Sequence, residues 1–151
     1  MTTFSSVEEL KAAVGAHIGT GDWLTIDQKR IDTFADATGD HQWIHVDPER
    51  AKDGPFGTPI AHGFLTLSLN PLLTRTAYDV TNVKMGVNYG LNKVRFTNPG
   101  PGDSRVRGRY ELLEATDVGG GGVQLTVKAT IELEGSGRPA AVAETLVRYY
   151  F

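Results

Sequence analysis

The sequence predicts an α+β chain with an antiparallel sheet. Signals for short capped helices fill residues 6–73, and two-residue alternation of apolar and polar side chains dominates the remainder of the chain. Ser6-Val7-Glu8-Glu9 has the form of a capping box, in which a serine oxygen accepts from the third helical amide while the glutamate reaches back. A short helix is therefore expected to about Val14, stopped by Gly15. Thr25-Ile26-Asp27-Gln28 repeats the pattern, and Ile26, Ile31, Phe34 and Ala35 leave an apolar stripe at helical spacing. This places a second helix from about Ile26 to Thr38, ended by Gly39. Asp47 followed by Pro48 marks a third start, since proline at the first helical position lacks an amide that would have no partner anyway. That helix is short, Pro48 to Lys52. Gly54, Pro55, Gly57 and Pro59 then interrupt every period and make a loop. Phe64 to Leu73 is apolar on nearly all sides and reads as a buried helix, which Pro71 must bend or restart.

In the second half, Val123 to Glu134 alternates without a slip, as a strand with one dry face must. Val106, Gly108, Tyr110 and Leu112 alternate with Arg105, Arg107, Arg109 and Glu111, and the glycines 119–122 join the two strands into a hairpin. Val83 to Phe96 and Ala140 to Phe151 supply further β-rich segments, set off by turn signals at Asn98 to Gly102 and Gly135 to Pro139. No linker or repeat divides the chain, so residues 1–151 are read as one domain.

Composition narrows the chemistry. Hydrophobic residues at 40% support a buried core, and a net charge of -3 provides no broad basic field for nucleic acid or an anionic membrane. The absence of cysteine removes disulfides, thiolate nucleophiles and cysteine-bound metals, leaving oxygen and imidazole chemistry. No leader-like stretch opens the sequence, and no apolar run approaches the roughly 18 residues that span a bilayer. A soluble cytoplasmic protein without membrane insertion is the expectation.

The densest chemistry lies between Phe34 and Pro48. Asp40 and His45 follow a glycine-terminated helix, where backbone turns can aim both at one point. A carboxylate can orient a water and an imidazole can move its proton near neutral pH. On spacing alone, an aspartate near a histidine is also common as surface capping. A second stretch, Gly57 to Gly63, leads into the apolar helix. There Gly63 leaves an unobstructed amide for a developing oxyanion, or else makes only a tight turn. His62 reads as a structural histidine bonded near the loop. His41 and His45 have the spacing of two metal ligands on one helical face, but the segment does not read as a helix, so no metal is expected. Arg105, Arg107 and Arg109 form a basic row that either meets substrate phosphates or is a solvated sheet face.

Taken together, these stretches resemble the MaoC-like, R-specific enoyl-CoA hydratases of the hot-dog fold. The family pattern runs aromatic, small residue, Gly-Asp, any residue, Asn-Pro, aliphatic, His, and a small residue after five more. Phe34, Thr38, Gly39, Asp40, Ile44, His45 and Ala51 fit it in order, while Gln42 and Trp43 stand where the family has Asn-Pro. Pro59 to Leu65 resembles the approach to the family's central helix, and Asn88 to Phe96 resembles a strand of mycobacterial-type members.

The resemblance implies a curved antiparallel sheet wrapped around a long central helix, in a homodimer whose sheets join. It implies that Asp40 and His45 hold the water added to C3 of a trans-2-enoyl-CoA and return the proton to C2. The Gly63 amide would bind the thioester oxygen, and the product would be an (R)-3-hydroxyacyl-CoA, or the reverse dehydration would run. Trp43 and Phe64 would shape the acyl pocket. No metal or redox cofactor is implied, CoA being part of the substrate. A hot-dog thioesterase and a non-catalytic acyl-CoA-binding module remain as alternatives.

Overall fold

A computed structural model describes residues 1–151. The elements run β1 (Thr2–Phe4), α1 (Val7–Ala12), β2 (His17–Thr20), β3 (Leu24–Ile26) and α2 (Gln28–Thr38). Four short helical segments come next, α3 (Trp43–Val46), α4 (Pro48–Ala51), α5 (Gly63–Ser68) and α6 (Asn70–Thr74). The strands β4 (Tyr78–Val80), β5 (Met85–Arg95), β6 (Ser104–Val118), β7 (Gly122–Leu133) and β8 (Ala141–Tyr150) complete the chain.

The caps follow the local chemistry. Ser6 Oγ accepts from the Glu9 amide at 3.3 Å, while the Glu9 carboxylate reaches the amide of Ser5, one residue earlier than the capping-box pattern places it. The second helix is capped by Asp27, which accepts from the Arg30 amide at 2.8 Å, and not by Thr25. Ile26 accordingly stays in β3. Gly39 closes α2 with φ 76°, a left-handed conformation that glycine adopts without a Cβ penalty, and this turns the chain toward Asp40.

The main sheet has six strands in the order β2-β6-β7-β8-β5, with β3 on the same edge of β6 as β2. Every pairing in it is antiparallel. β6 and β7 form the expected hairpin, with Val118 opposite Gly122, and β7 to β8 runs in register from Gly122–Tyr150 to Ile131–Ala141. A bulge in β6 near Leu112 and two in β5 supply the local bends of a curved sheet. β1 and β4 make a separate parallel pair, which three-residue strands are too short to announce by alternation.

The helix expected over Phe64 to Leu73 exists as two pieces, α5 and α6, meeting at Leu69 and Asn70. Pro71 has no amide to continue the ladder, so the helix restarts there, and the long central helix implied by the resemblance is split. Leu65, Leu69 and Leu73 still present one buried stripe, packed with Ile26, Ile31, Val106 and Ile131. A second cluster, with Leu10, Ile18, Tyr110, Leu112 and Leu125, fills the other end of the sheet. No helix is long and apolar enough to cross a membrane.

Candidate active site

Three separate segments meet at one point. The turn after α2 brings Asp40, the single-turn helix α3 brings His45, and the approach to α5 brings His62 and Gly63. A carboxylate oxygen of Asp40 and one ring nitrogen each of His45 and His62 lie within 4.8 Å of one another. The two residues singled out as acid and base are thus brought together, joined by a histidine read as structural that directly precedes Gly63 in the chain.

His45 is held at both ends. Its Nδ1 is 2.7 Å from the Ile60 carbonyl, which can only accept, so Nδ1 carries the hydrogen and Nε2 is left as the bare acceptor. Its own carbonyl accepts from Gln28 Nε2 of α2 at 2.7 Å. Ile60 also donates its amide to the Ile44 carbonyl at 3.0 Å, fastening the loop to α3. His45 is buried, and burial is the main reason its pKa falls below 6.5. The Ile60 hydrogen bond opposes this, His62 adds to it, and Asp40 opposes it. The imidazole is therefore neutral at pH 7 and ready to accept a proton.

Asp40 is exposed, with Oδ1 taking the Gln42 amide at 3.4 Å and its backbone carbonyl taking His62 Nε2 at 3.0 Å. Gly63 opens α5, where the first amides of a helix have no partner within it. A Cβ on Gly63 would sit 2.6 Å from the Phe96 ring, so only glycine lets this backbone and the ring share the space. Phe64 is exposed and meets Phe96 edge-on at 5.8 Å. The half-buried Trp43 ring packs against Gly54 and under the Arg50 guanidinium at 4.4 Å. A groove of about 680 Å³ is bounded by Leu67, Pro71, Tyr78, Tyr89, Leu91 and Leu146, and neither Trp43 nor Phe64 lines it.

Several readings resolve on this geometry. His41 precedes α3 and pairs with Asp36 at 2.8 Å in solvent, so it does not join His45 even though Trp43–Val46 is a helical turn that its neighbours' glycine and proline obscured. Asp40, His45 and His62 include donor types that bind divalent ions. However, the two imidazoles are stacked with planes 23° apart, which sends their in-plane lone pairs side by side instead of toward a common centre. The arginine row is a paired sheet face, with Arg105 on Glu134 at 3.1 Å and Arg107 on Glu132 at 2.6 Å. His62 is the site residue that spacing does not flag; its place directly before Gly63 is the available signal.

Comparison with known proteins decides the family. The MaoC like domain matches residues 9–133. The chain belongs to that family. Its sequence is 59% identical over 149 residues to 3-hydroxyacyl-thioester dehydratase Z of Mycobacterium tuberculosis, covering 99% of each chain. Among solved structures, a monoamine oxidase regulatory protein from Archaeoglobus fulgius superposes with a TM-score of 0.79 at 27% identity, over 99% of this chain and 97% of that one. The (R)-hydratase from A. caviae involved in PHA biosynthesis has a TM-score of 0.67 at 22% identity, over 86% of this chain and 94% of that one, a likeness of fold. This MaoC-like chain therefore has the hot-dog architecture and is an enzyme of the hydro-lyase kind.

Proposed function

We propose that this MaoC-like enzyme interconverts a trans-2-enoyl-CoA and an (R)-3-hydroxyacyl-CoA by addition or removal of water. The observation that carries the reading is the convergence of the Asp40 carboxylate with a His45 whose Nδ1 is tied to Ile60, which leaves Nε2 as its free acceptor. The 59% identity to a protein named 3-hydroxyacyl-thioester dehydratase supports the substrate class.

In the hydration direction, Asp40 and His45 hold one water between them. His45 Nε2 takes a proton as the water oxygen bonds to C3, and the C2–C3 π pair moves toward the thioester carbonyl. The oxygen's growing charge is met by the Gly63 amide, one such aligned donor being worth roughly 2.7–4 kcal/mol. The same Asp40 and His45 pair then returns a proton to C2, so one water is added in total. Dehydration takes the reverse path. The proposed chemistry calls for no metal or redox cofactor, because the thioester carbonyl itself acidifies C2.

The groove includes Leu67, about one helical turn or roughly 6 Å along α5 from Gly63, and offers a path for the acyl chain between α5, α6 and the strands β5 and β8. Phe64, next to Gly63 in the chain, and Trp43, between Asp40 and His45 in the chain, are assigned to shaping the substrate's approach outside that groove. β5 is a free sheet edge with Met85, Val87, Tyr89 and Leu91 exposed, the kind of edge that soluble proteins cover. A homodimer joined through β5 accounts for it and would place the groove beside the interface.

The test mixes purified protein with trans-2-enoyl-CoA esters of several lengths, monitoring the conjugated thioester absorbance with a thiol reagent in parallel. Loss of conjugation without free thiol is the expected result. Release of free thiol would make the enzyme a thioesterase, and silence in both channels would make the chain an acyl-CoA-binding module.

A further inference from the structure

His62 has more contacts to the site than a loop histidine needs. It is 2% exposed, its Nε2 meets the Asp40 carbonyl at 3.0 Å, and its ring stacks on His45 with centroids 3.9 Å apart. Phe34 of α2 packs on the same ring at 4.9 Å. Its carbonyl accepts the Thr66 amide at 3.1 Å as the first bond of α5, and its peptide continues into Gly63. The carbonyl of Asp40 can only accept, so Nε2 carries the hydrogen. The other ring nitrogen, Nδ1, is buried with no hydrogen-bond partner. A buried polar atom without a partner destabilises a fold, which an apolar ring of the same shape would avoid. The imidazole's presence is therefore explained by its other nitrogen and its face, not by filling space.

We propose that His62 is a positioning residue, one that fixes the distance between Asp40 and His45 by gripping the backbone of the first and stacking on the ring of the second, while anchoring the Gly63 amide to both. Three segments that share no secondary structure are thereby held as one unit. This assignment rests on the hydro-lyase reading of the site. Misplacing reacting groups by about 1 Å can cost on the order of 10²-fold in rate. The contribution therefore belongs in kcat, with substrate binding spread over the groove and left largely intact.

Two substitutions separate the two contacts. His62→Phe keeps a ring to stack on His45 and removes the donor to Asp40. His62→Gln reaches with an amide nitrogen to the Nε2 position and removes the ring. With enoyl-CoA as substrate, kcat should fall about tenfold or more in His62→Phe with KM changed less than threefold, and His62→Gln should recover part of that loss. A purely structural histidine predicts equal losses in both variants that track the melting temperature and leave kcat per folded molecule unchanged; that result overturns the assignment. Should a variant fail to fold, ¹⁵N-imidazole spectra of the wild-type enzyme decide. The His62 ring must carry its hydrogen on Nε2 in a slowly exchanging bond, in contrast to the Nδ1 hydrogen of His45, and a His62 hydrogen on Nδ1 alone would overturn the assignment. Wild-type protein that never consumes enoyl-CoA would remove the hydro-lyase reading itself, an outcome distinct from active wild type with unaffected His62 variants.

Discussion

The β6–β7–β8 layer and the 40–63 region are built on opposite principles. In the layer, ten β7–β8 residue pairs run in unbroken register, and Val123, Leu125, Val127, Ala129 and Ile131 are all buried on repeating positions. Each contact there has many equivalents, so losing one weakens the fold without redirecting it. In the 40–63 region the order hangs on single bonds: Ile60 carbonyl to His45, Asp40 carbonyl to His62, Gln28 to the His45 carbonyl. Redundancy gives stability, and uniqueness gives placement. The difference predicts that variants in the two regions fail in different ways.

Asp40→Asn breaks the comparison most sharply. It should lower turnover about 10²- to 10⁴-fold while the melting curve stays put, since Asp40 is exposed. An active, well-folded Asp40→Asn enzyme would sink the mechanism. Leu125→Ala tests the other side. Leu125 is fully buried, so urea unfolding should show a loss of about 2–5 kcal/mol, with kcat per folded molecule unchanged. Gly63→Ala sits at the border of the two behaviours. Its methyl group meets the Phe96 ring at 2.6 Å, so the helix start must shift, and kcat should fall about tenfold or more as the amide moves off the thioester oxygen.

A smaller effect is expected from pH. Burial lowers the pKa of His45 below 6.5, so the base stays neutral in the folded enzyme as pH falls through that value. The acid limb of kcat/KM should therefore lie below pH 6.5, and a limb above it would contradict the burial argument. The same sign applies to folding. The unfolded chain takes up the proton first, so this group's contribution to stability is complete above pH 6.5 and is lost as pH falls from there toward the folded pKa. Smallest of all is Trp43→Ala. Removing the indole should alter the chain-length preference by a few-fold, and an unchanged profile across acyl lengths would take Trp43 out of the substrate's path.

Much of the fold is legible in the sequence because the information is local. Alternation from Val123 to Glu134 needs only a sheet with one dry face, and a glycine after Thr38 needs only a left-handed turn. The capping chemistry of Ser6 is readable for the same reason, although Asp27 displaces Thr25 because Thr25 is already committed to the β3–β6 ladder opposite Arg105. Trp43–Val46 does not announce itself as a helix because one turn is too short to show a period. Asp40, His45 and Gly63 are named by spacing and resemblance, whereas their convergence with His62 is not, since residue 62 is 22 positions from Asp40 and only the folded loop brings its ring nitrogen to that carbonyl.

By itself, the sequence determined the Ser6 cap and the Gly39 stop, the strand faces, the break signalled by Pro71 and the residue types able to move a proton. Those depend on neighbours within a few positions. The tertiary structure decided which histidine stands beside which, that His41 turns away to Asp36, and that the arginines pair with glutamates instead of reaching a phosphate. Distances between segments are set by how the loop from Gly54 to Gly63 packs on α3 and the sheet, a result of the whole fold's burial that no short stretch of residues encodes.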